Sequence, residues 1–228
     1  MKIAVIGKGK VGLELWGSLF EHHEVVLYGR DYPSEEDIAA DLILIAVNDS
    51  SVAEVAANFP NTLTAHTAGA VALQPGPRSA VFYPLYSFSK EQRVDFKRVP
   101  LLLETASQGD RDVLEEVARD LSDEVYWINS AQREKLHVAA VMVNNFTNHL
   151  YTLAAEYCDQ RGLPFEVLHA IMEQGPGKAK ELGPKLAQTG PAVRGDQGTI
   201  NKHLQELGES DLAELYQLLT HSIQKHHR

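Results

Sequence analysis

The sequence predicts an α/β fold: a doubly wound, mostly parallel sheet in the N-terminal half, followed by an all-α C-terminal domain. Three features carry this prediction. An apolar run, Ile3–Ile6, leads straight into Gly7-Lys-Gly9-Lys-Val-Gly12, and a helical pattern of Val11, Leu13, Leu15, Trp16, Leu19 and Phe20 follows. Strand-like segments then alternate with helices or loops as far as Asn129, as a parallel doubly wound sheet requires. Beyond that point the pattern is helical. The division expected is 1–129 for a nucleotide-binding domain and 130–228 for a helical domain.

The first strand, Lys2–Ile6, ends in G-x-G-x-x-G, whose strand–turn–helix setting marks a Rossmann-type dinucleotide site. Gly7 permits the tight turn, Gly9 lets the backbone approach a pyrophosphate, and Gly12 lets the helix pack on the sheet. The N–H groups that open the helix face the phosphates, where the macrodipole favours negative charge. Gly7, Lys8, Gly9, Lys10, Val11 and Gly12 are therefore the candidate phosphate contacts. The second strand ends in Tyr28-Gly29-Arg30-Asp31. A small residue followed by arginine leaves room for a 2′-phosphate and supplies a planar cation for it, so Arg30 points to NADP. NAD would be restored if Asp31, one residue on, stood at the strand tip.

The remaining strands are expected at Leu42–Val47, Thr62–His66, Ala80–Tyr83, Pro100–Glu104 and Glu124–Ile128. The wholly apolar Leu42–Val47 reads as a central strand buried on both faces. Asn129-Ser130 offers an N-cap for a long helix running to about Gln160 and stopped by Gly162 and Pro164. Shorter helices are expected at Phe165–Glu173, Lys178–Gln188, Gln197–Leu207 and Ser210–His226.

Composition sets limits on partners. With 44% hydrophobic residues the chain has material for a core, and a net charge of −10 argues against non-specific nucleic-acid binding or attraction to anionic lipid. No apolar stretch approaches the roughly 20 residues that span a bilayer. Cys158 is the sole cysteine, which fits a reducing cytoplasm, and on a helix it reads as a small apolar filler. The ten histidines are scattered without H-x-x-x-H or C-x-x-C spacing, so no metal site is expected.

The whole chain resembles the 6-phosphogluconate-dehydrogenase-like superfamily, which includes pyrroline-5-carboxylate and ketopantoate reductases. Within it the chain is most similar to a branch of Rossmann-like NADP-dependent oxidoreductases whose helical C-terminal domain has no assigned function. The likeness is carried by Gly7 to Gly12, His66-Thr67-Ala68-Gly69-Ala70, Pro84-Leu85, His137 through Asn145, and Thr189-Gly190-Pro191 with Arg194-Gly195-Asp196. It implies a substrate cleft beside the long helix and a homodimer formed through the helical domain. Two departures stand out. Tyr83 occupies the place where that branch often has a histidine before the Pro-Leu pair. Lys135 is followed four residues later by Ala139 instead of the asparagine many superfamily dehydrogenases pair with lysine.

Ligands of open α/β sheets lie outside the carboxyl ends of the strands. Asn48, in the loop after the third strand, is a candidate ribose or nicotinamide contact, with a helix N-cap at Asp49 or Ser50 as the structural reading of that loop. His66, at the end of the fourth, is a candidate proton donor or acceptor, or a histidine that bonds a neighbouring loop. At about 100° per residue, Arg133, His137, Asn144 and Asn148 share one stripe of the long helix, and Ala139 to Val143 is apolar all round, so burial is expected. His137 and Asn144 are thus catalytic candidates and Asn148 a substrate contact. Arg194 could fork a substrate carboxylate, while Asp196 caps the next helix with Thr199 at the third position. The function expected is NADP-dependent hydride transfer to or from a small anionic substrate. The alternatives are a non-catalytic NADP-binding sensor or scaffold, and hydride exchange with a deazaflavin coenzyme.

Overall fold

Strands in which every residue is buried cannot lie at a sheet edge, and β3 (Leu42–Ile45) and β4 (Leu63–His66) are of this kind. In the computed structural model, which describes residues 1–89 and 94–227, both lie inside a seven-stranded sheet of order β2-β1-β3-β4-β5-β6-β7. The other strands are β1 (Lys2–Ile6), β2 (Glu24–Tyr28), β5 (Ser79–Pro84), β6 (Leu101–Thr105) and β7 (Val125–Trp127). β1 pairs in parallel with β2 and β3, in a register that sets Ile6 beside both Tyr28 and Ile45. Only the β5–β6 pair is antiparallel among the described strands, and the described residues of its connection form no crossover α-helix. The strand order reverses at β1, which is where a doubly wound sheet opens a crevice.

Alternation along the strands divides the core between the two faces. Ile3, Val5, Leu42 and Leu44 face helices α1 (Lys10–Leu19) and α3 (Arg111–Leu121) through Leu15, Leu19, Leu114 and Val117. Ala4, Ile6, Ile43 and Ile45 face the other way, against Ile38, Phe59 and Val55 of α2 (Val52–Ala57). Each such valine, leucine or isoleucine side chain contributes about 1.5–3 kcal/mol on burial. Expected and observed strand ends coincide or differ by at most two residues.

The chain forms two compact units, 1–146 and 147–228. Helix α4 (Ser130–Ala140) belongs to the first and begins with a capping box, in which Asn129 and Gln132 bond each other's backbone N–H. A π-helical turn, Val141–Phe146, follows, and then α5 (Thr147–Gln160). This turn corrects the angular reading of the long helix: i→i+5 bonding rotates everything after it away from the 100° series, so His137 and Asn144 do not share a straight stripe. The expected burial is also absent. Val138, Met142, Val143 and Phe146 are 53%, 58%, 76% and 58% exposed.

In the second unit, α9 (Gln197–Leu207) is capped by Asp196, which accepts from the N–H and hydroxyl of Thr199. Helix α10 (Asp211–His226) is capped by Ser210. The helices expected at Phe165–Glu173 and Lys178–Gln188 are replaced by a short 3-10 turn, a single α6 (His169–Leu182) and a short α7 (Pro184–Ala187). Pro176 sits inside α6 without ending it. That helix has no buried residue, so water can reach the carbonyl a proline leaves unpaired, and flanking Gly175 and Gly177 add no side chains to crowd the ring. Cys158 is buried, as a filler should be.

Candidate functional site

A cleft of about 1120 Å³ lies outside the carboxyl ends of β1, β3, β4 and β5 in the first unit. Its floor is the glycine turn. Gly7 has φ +122° and donates its N–H to the Tyr28 carbonyl at 2.9 Å; a Cβ there would come within 2.1 Å of the Ala46 oxygen. At Gly12 a Cβ would lie 1.9 Å from the Gly7 oxygen, so only glycine lets α1 sit this close to the turn. Gly9 is different. A Cβ there would meet nothing within 4 Å, and as N-cap of α1 it brings no side-chain acceptor to the first-turn N–H groups. The result is open space in front of unclaimed donors at a helix N-terminus, which is what a pyrophosphate needs. Lys8, Lys10 and Val11 line the same wall.

Because Ile6 is level with Tyr28, the tip of β2 delivers Gly29 and Arg30 to the cleft, while Asp31 is not among the lining residues. A Cβ at Gly29 would lie 3.6 Å from Cε of Lys8, so the two cations flank one small residue. Asn48 also lines the cleft. It holds the cap position before the 3-10 turn Asp49–Ser51, but its side chain makes no capping bond, nor does that of Ser51 before α2. The N-cap expected at Asp49 or Ser50 is therefore not formed.

His66 is buried at the end of β4, and backbone engages both ring nitrogens. Nδ1 accepts from the Ala68 N–H at 3.3 Å, which leaves Nε2–H to donate to the Ala72 carbonyl at 3.1 Å. Burial, with Arg133 nearby, pushes its pKa down to about 4. Of the two readings of this histidine, the geometry forms the loop-bonding one. Arg133, 1% exposed, clamps the same loop: it donates to the Val71 carbonyl and to Glu104 of β6, both at 2.5 Å, while Ser130 Oγ accepts from the Leu73 N–H. Residues 67–73 are thus fixed from the sheet and from α4 at once.

That fixed loop presents Thr67, Ala68 and Gly69 to the cleft, opposite Tyr83 of β5 and His137 of α4. Tyr83 Oη lies 3.3 Å from His137 Nδ1, with the rings edge to face. A Cβ on Gly69 would come within 2.8 Å of both the phenol oxygen and that nitrogen. Burial raises the Tyr83 pKa, Asp49 raises it further, and Arg133 opposes both. The pair also borders an adjoining cavity of about 790 Å³, walled by Leu85, Tyr86, Leu136 and the π-helical turn with Asn144. His137 and Asn144 are therefore brought to one cavity, although not by the helical stripe. Tyr83 is the residue sequence reasoning missed, noticed only as a histidine not present. The strand-end rule that selected Asn48 and His66 applies equally to β5.

Asn148 and Arg194 lie in the second unit, both exposed, Asn148 on α5 and Arg194 at the last position of α8 (Pro191–Arg194). His203, one helix on, is held by Tyr216 Oη at 2.8 Å. Among the described residues no group of three or more His, Cys, Asp or Glu could hold a metal ion, and no helix is long and apolar enough to cross a membrane.

Residues 99–223 match the family model described as Domain of unknown function (DUF2520), and the chain belongs to that family. A structure of a putative NADP oxidoreductase from Bacteroides fragilis is 32% identical with a TM-score of 0.85, the match covering 98% of each chain. A Thermotoga maritima protein is 17% identical with a TM-score of 0.77, over 99% of this chain and 98% of that one. The reductive aminase of Aspergillus terreus, solved with NADPH and ethyl levulinate, is 13% identical with a TM-score of 0.69, over 98% and 92%. The fold is that of the 6-phosphogluconate-dehydrogenase-like superfamily. Comparison with curated proteins gives no match.

Proposed function

We propose that this member of the family is an NADP-dependent oxidoreductase, which passes a hydride between the nicotinamide and the carbon of a small carbonyl or imine compound. One observation carries the reading: a helix N-terminus with open space at Gly9 and no side-chain cap, set beside the cations of Lys8 and Arg30. Gly7, Gly9, Gly12 and the first-turn N–H groups would hold the pyrophosphate. Arg30 would take the 2′-phosphate through its planar fork, and Asn48 the ribose or carboxamide. When bound, the cofactor supplies the hydride; the chain supplies grip, orientation and the proton. The Bacteroides fragilis relative and the Aspergillus terreus complex support the same cofactor.

The finer parts of the proposal rest on residue chemistry. Asn144 and Asn148 would hydrogen-bond the substrate, and Arg194 would pair with it if it is a carboxylate. A homodimer is supported by the apolar exposure of the second unit, where Val167, Ile171 and Leu186 are 70%, 65% and 79% exposed. The lone cysteine suits a reducing cytoplasm. The deciding experiment is a fluorescence titration with NADPH and NADH. NADPH should bind more tightly, and Arg30→Ala should weaken NADPH at least tenfold more than NADH, the loss of about 1.4 kcal/mol or more from one charge-assisted contact. Equal losses for both nucleotides would refute the role of Arg30. Binding of neither would refute the function.

A further inference from the structure

Hydride transfer to a carbonyl or imine leaves a charge on oxygen or nitrogen that a proton must meet, and the two histidines that sequence reading favours for this are unequal. His66 has both ring nitrogens bonded to backbone and borders neither cavity in its lining. His137 borders both, but its Nδ1 is turned to a phenol. On the proposed function as its premise, we propose that Tyr83 is the catalytic acid, with His137 as the residue that positions and recharges it.

The geometry is specific. Tyr83 borders both the nucleotide cleft and the adjoining cavity, so its hydroxyl is placed where a cofactor held in one and a substrate held in the other would meet. The absence of a side chain at residue 69 is what admits the pair: a Cβ there would come within 2.8 Å of the hydroxyl and of Nδ1, and Gly69 sits on the loop that His66, Arg133 and Ser130 pin in place. The immobile loop, not a catalytic imidazole, is thus the contribution of His66. In its acid form Tyr83 donates O–H toward the substrate while His137 Nδ1–H donates to the phenol oxygen. The substrate carbon takes the hydride supplied by the dihydronicotinamide and the C=O or C=N π pair moves to the heteroatom. That atom then takes the Tyr83 proton as the O–H bond breaks. The tyrosinate is neutralised by the Nδ1 proton of His137 as Nε2 takes up a proton from solvent, so the ring stays neutral and exchange with water then restores the starting tautomer. One hydride and one proton are consumed per turnover. Burial keeps the phenol protonated well into the alkaline range, so the acid form is the resting form.

The test does not require the natural substrate. The full chain with isotopically labelled tyrosine Cζ is titrated by NMR across the alkaline range in the presence of NADP+ and, separately, NADPH, with Tyr83→Phe identifying the resonance. The groups that act on this phenol, the charged Asp49 and Arg133 and the hydrogen-bonded ring of His137, are the same in both samples. The oxidised nicotinamide carries a positive charge that the reduced ring lacks, so NADP+ should lower the Tyr83 midpoint by about one pH unit relative to NADPH. Replacing His137 with Phe should raise the midpoint in both samples, because a donor to the tyrosinate is lost, an effect that a purely packing role would not produce. Tyr83→Phe itself should bind NADPH within about twofold of the parent chain and lose turnover of any carbonyl or imine probe the parent reduces. Identical midpoints with the two nucleotides, or full turnover by Tyr83→Phe, would overturn the assignment while leaving the oxidoreductase reading intact. Binding of neither nucleotide overturns both.

Discussion

The imidazole of His66 should make the fold acid-labile over a defined range. Free in an unfolded chain it takes a proton near pH 6.5, whereas in the folded chain burial and the nearby Arg133 hold that event down to about 4, with Glu104 and Asp49 opposing. Between these values the unfolded state binds more protons, so stability falls as pH falls; the contribution is complete above 6.5 and lost progressively toward 4. A shift of that size corresponds to about 3 kcal/mol, a large share of the ~5–15 kcal/mol that holds a typical domain together. Replacing His66 with Gln removes the titration and weakens two backbone bonds, so at neutral pH the variant should be less stable by about 1–3 kcal/mol. Urea unfolding of both proteins at a series of pH values isolates the effect, because every other titrating group is common to the two. The gap between them should close as pH drops from neutral toward 4. A constant gap would refute the argument, showing that the His66 proton equilibrium is the same in both states.

Two other outcomes follow from exposure. Asn144 is exposed on the π-helical turn beside the Tyr83 cavity, so Asn144→Leu should change the free energy of unfolding by less than about 0.5 kcal/mol and reduce turnover of any substrate the chain accepts; a loss above about 1 kcal/mol with turnover unchanged would assign the amide a structural role. Light scattering at micromolar concentration should give twice the chain mass, and Ile171→Glu or Leu186→Glu should shift it toward that of one chain; a single-chain mass for the parent protein at every concentration would remove the dimer.

What was legible in the sequence was what one short stretch of backbone determines by itself. The strand Ile3–Ile6, the turn at Gly7 and the helix after Gly9 lie in one continuous stretch of chain, so G-x-G-x-x-G could be read to the residue, as could the cap of α9 by Asp196 with Thr199. The unbroken apolar run of Leu42–Val47 likewise placed β3 inside the sheet, where all four of its residues are buried. What was not legible depended on surroundings that the local pattern does not carry. Two helices were expected at Phe165–Glu173 and Lys178–Gln188, whereas one helix, α6, runs through Pro176 between them with no buried residue. The π-helical turn leaves no periodic trace, and it undid the arithmetic that joined His137 to Asn144. For the site, residue type was read without its surroundings. A histidine at a strand end looks like a proton carrier, yet the loop that folds back six residues later engages both of its nitrogens. A tyrosine looks inert until a histidine 54 positions away meets its hydroxyl. In this chain the buried imidazole of His66 is bonded to backbone at both nitrogens, whereas the Tyr83 phenol, bonded to His137, borders both cavities.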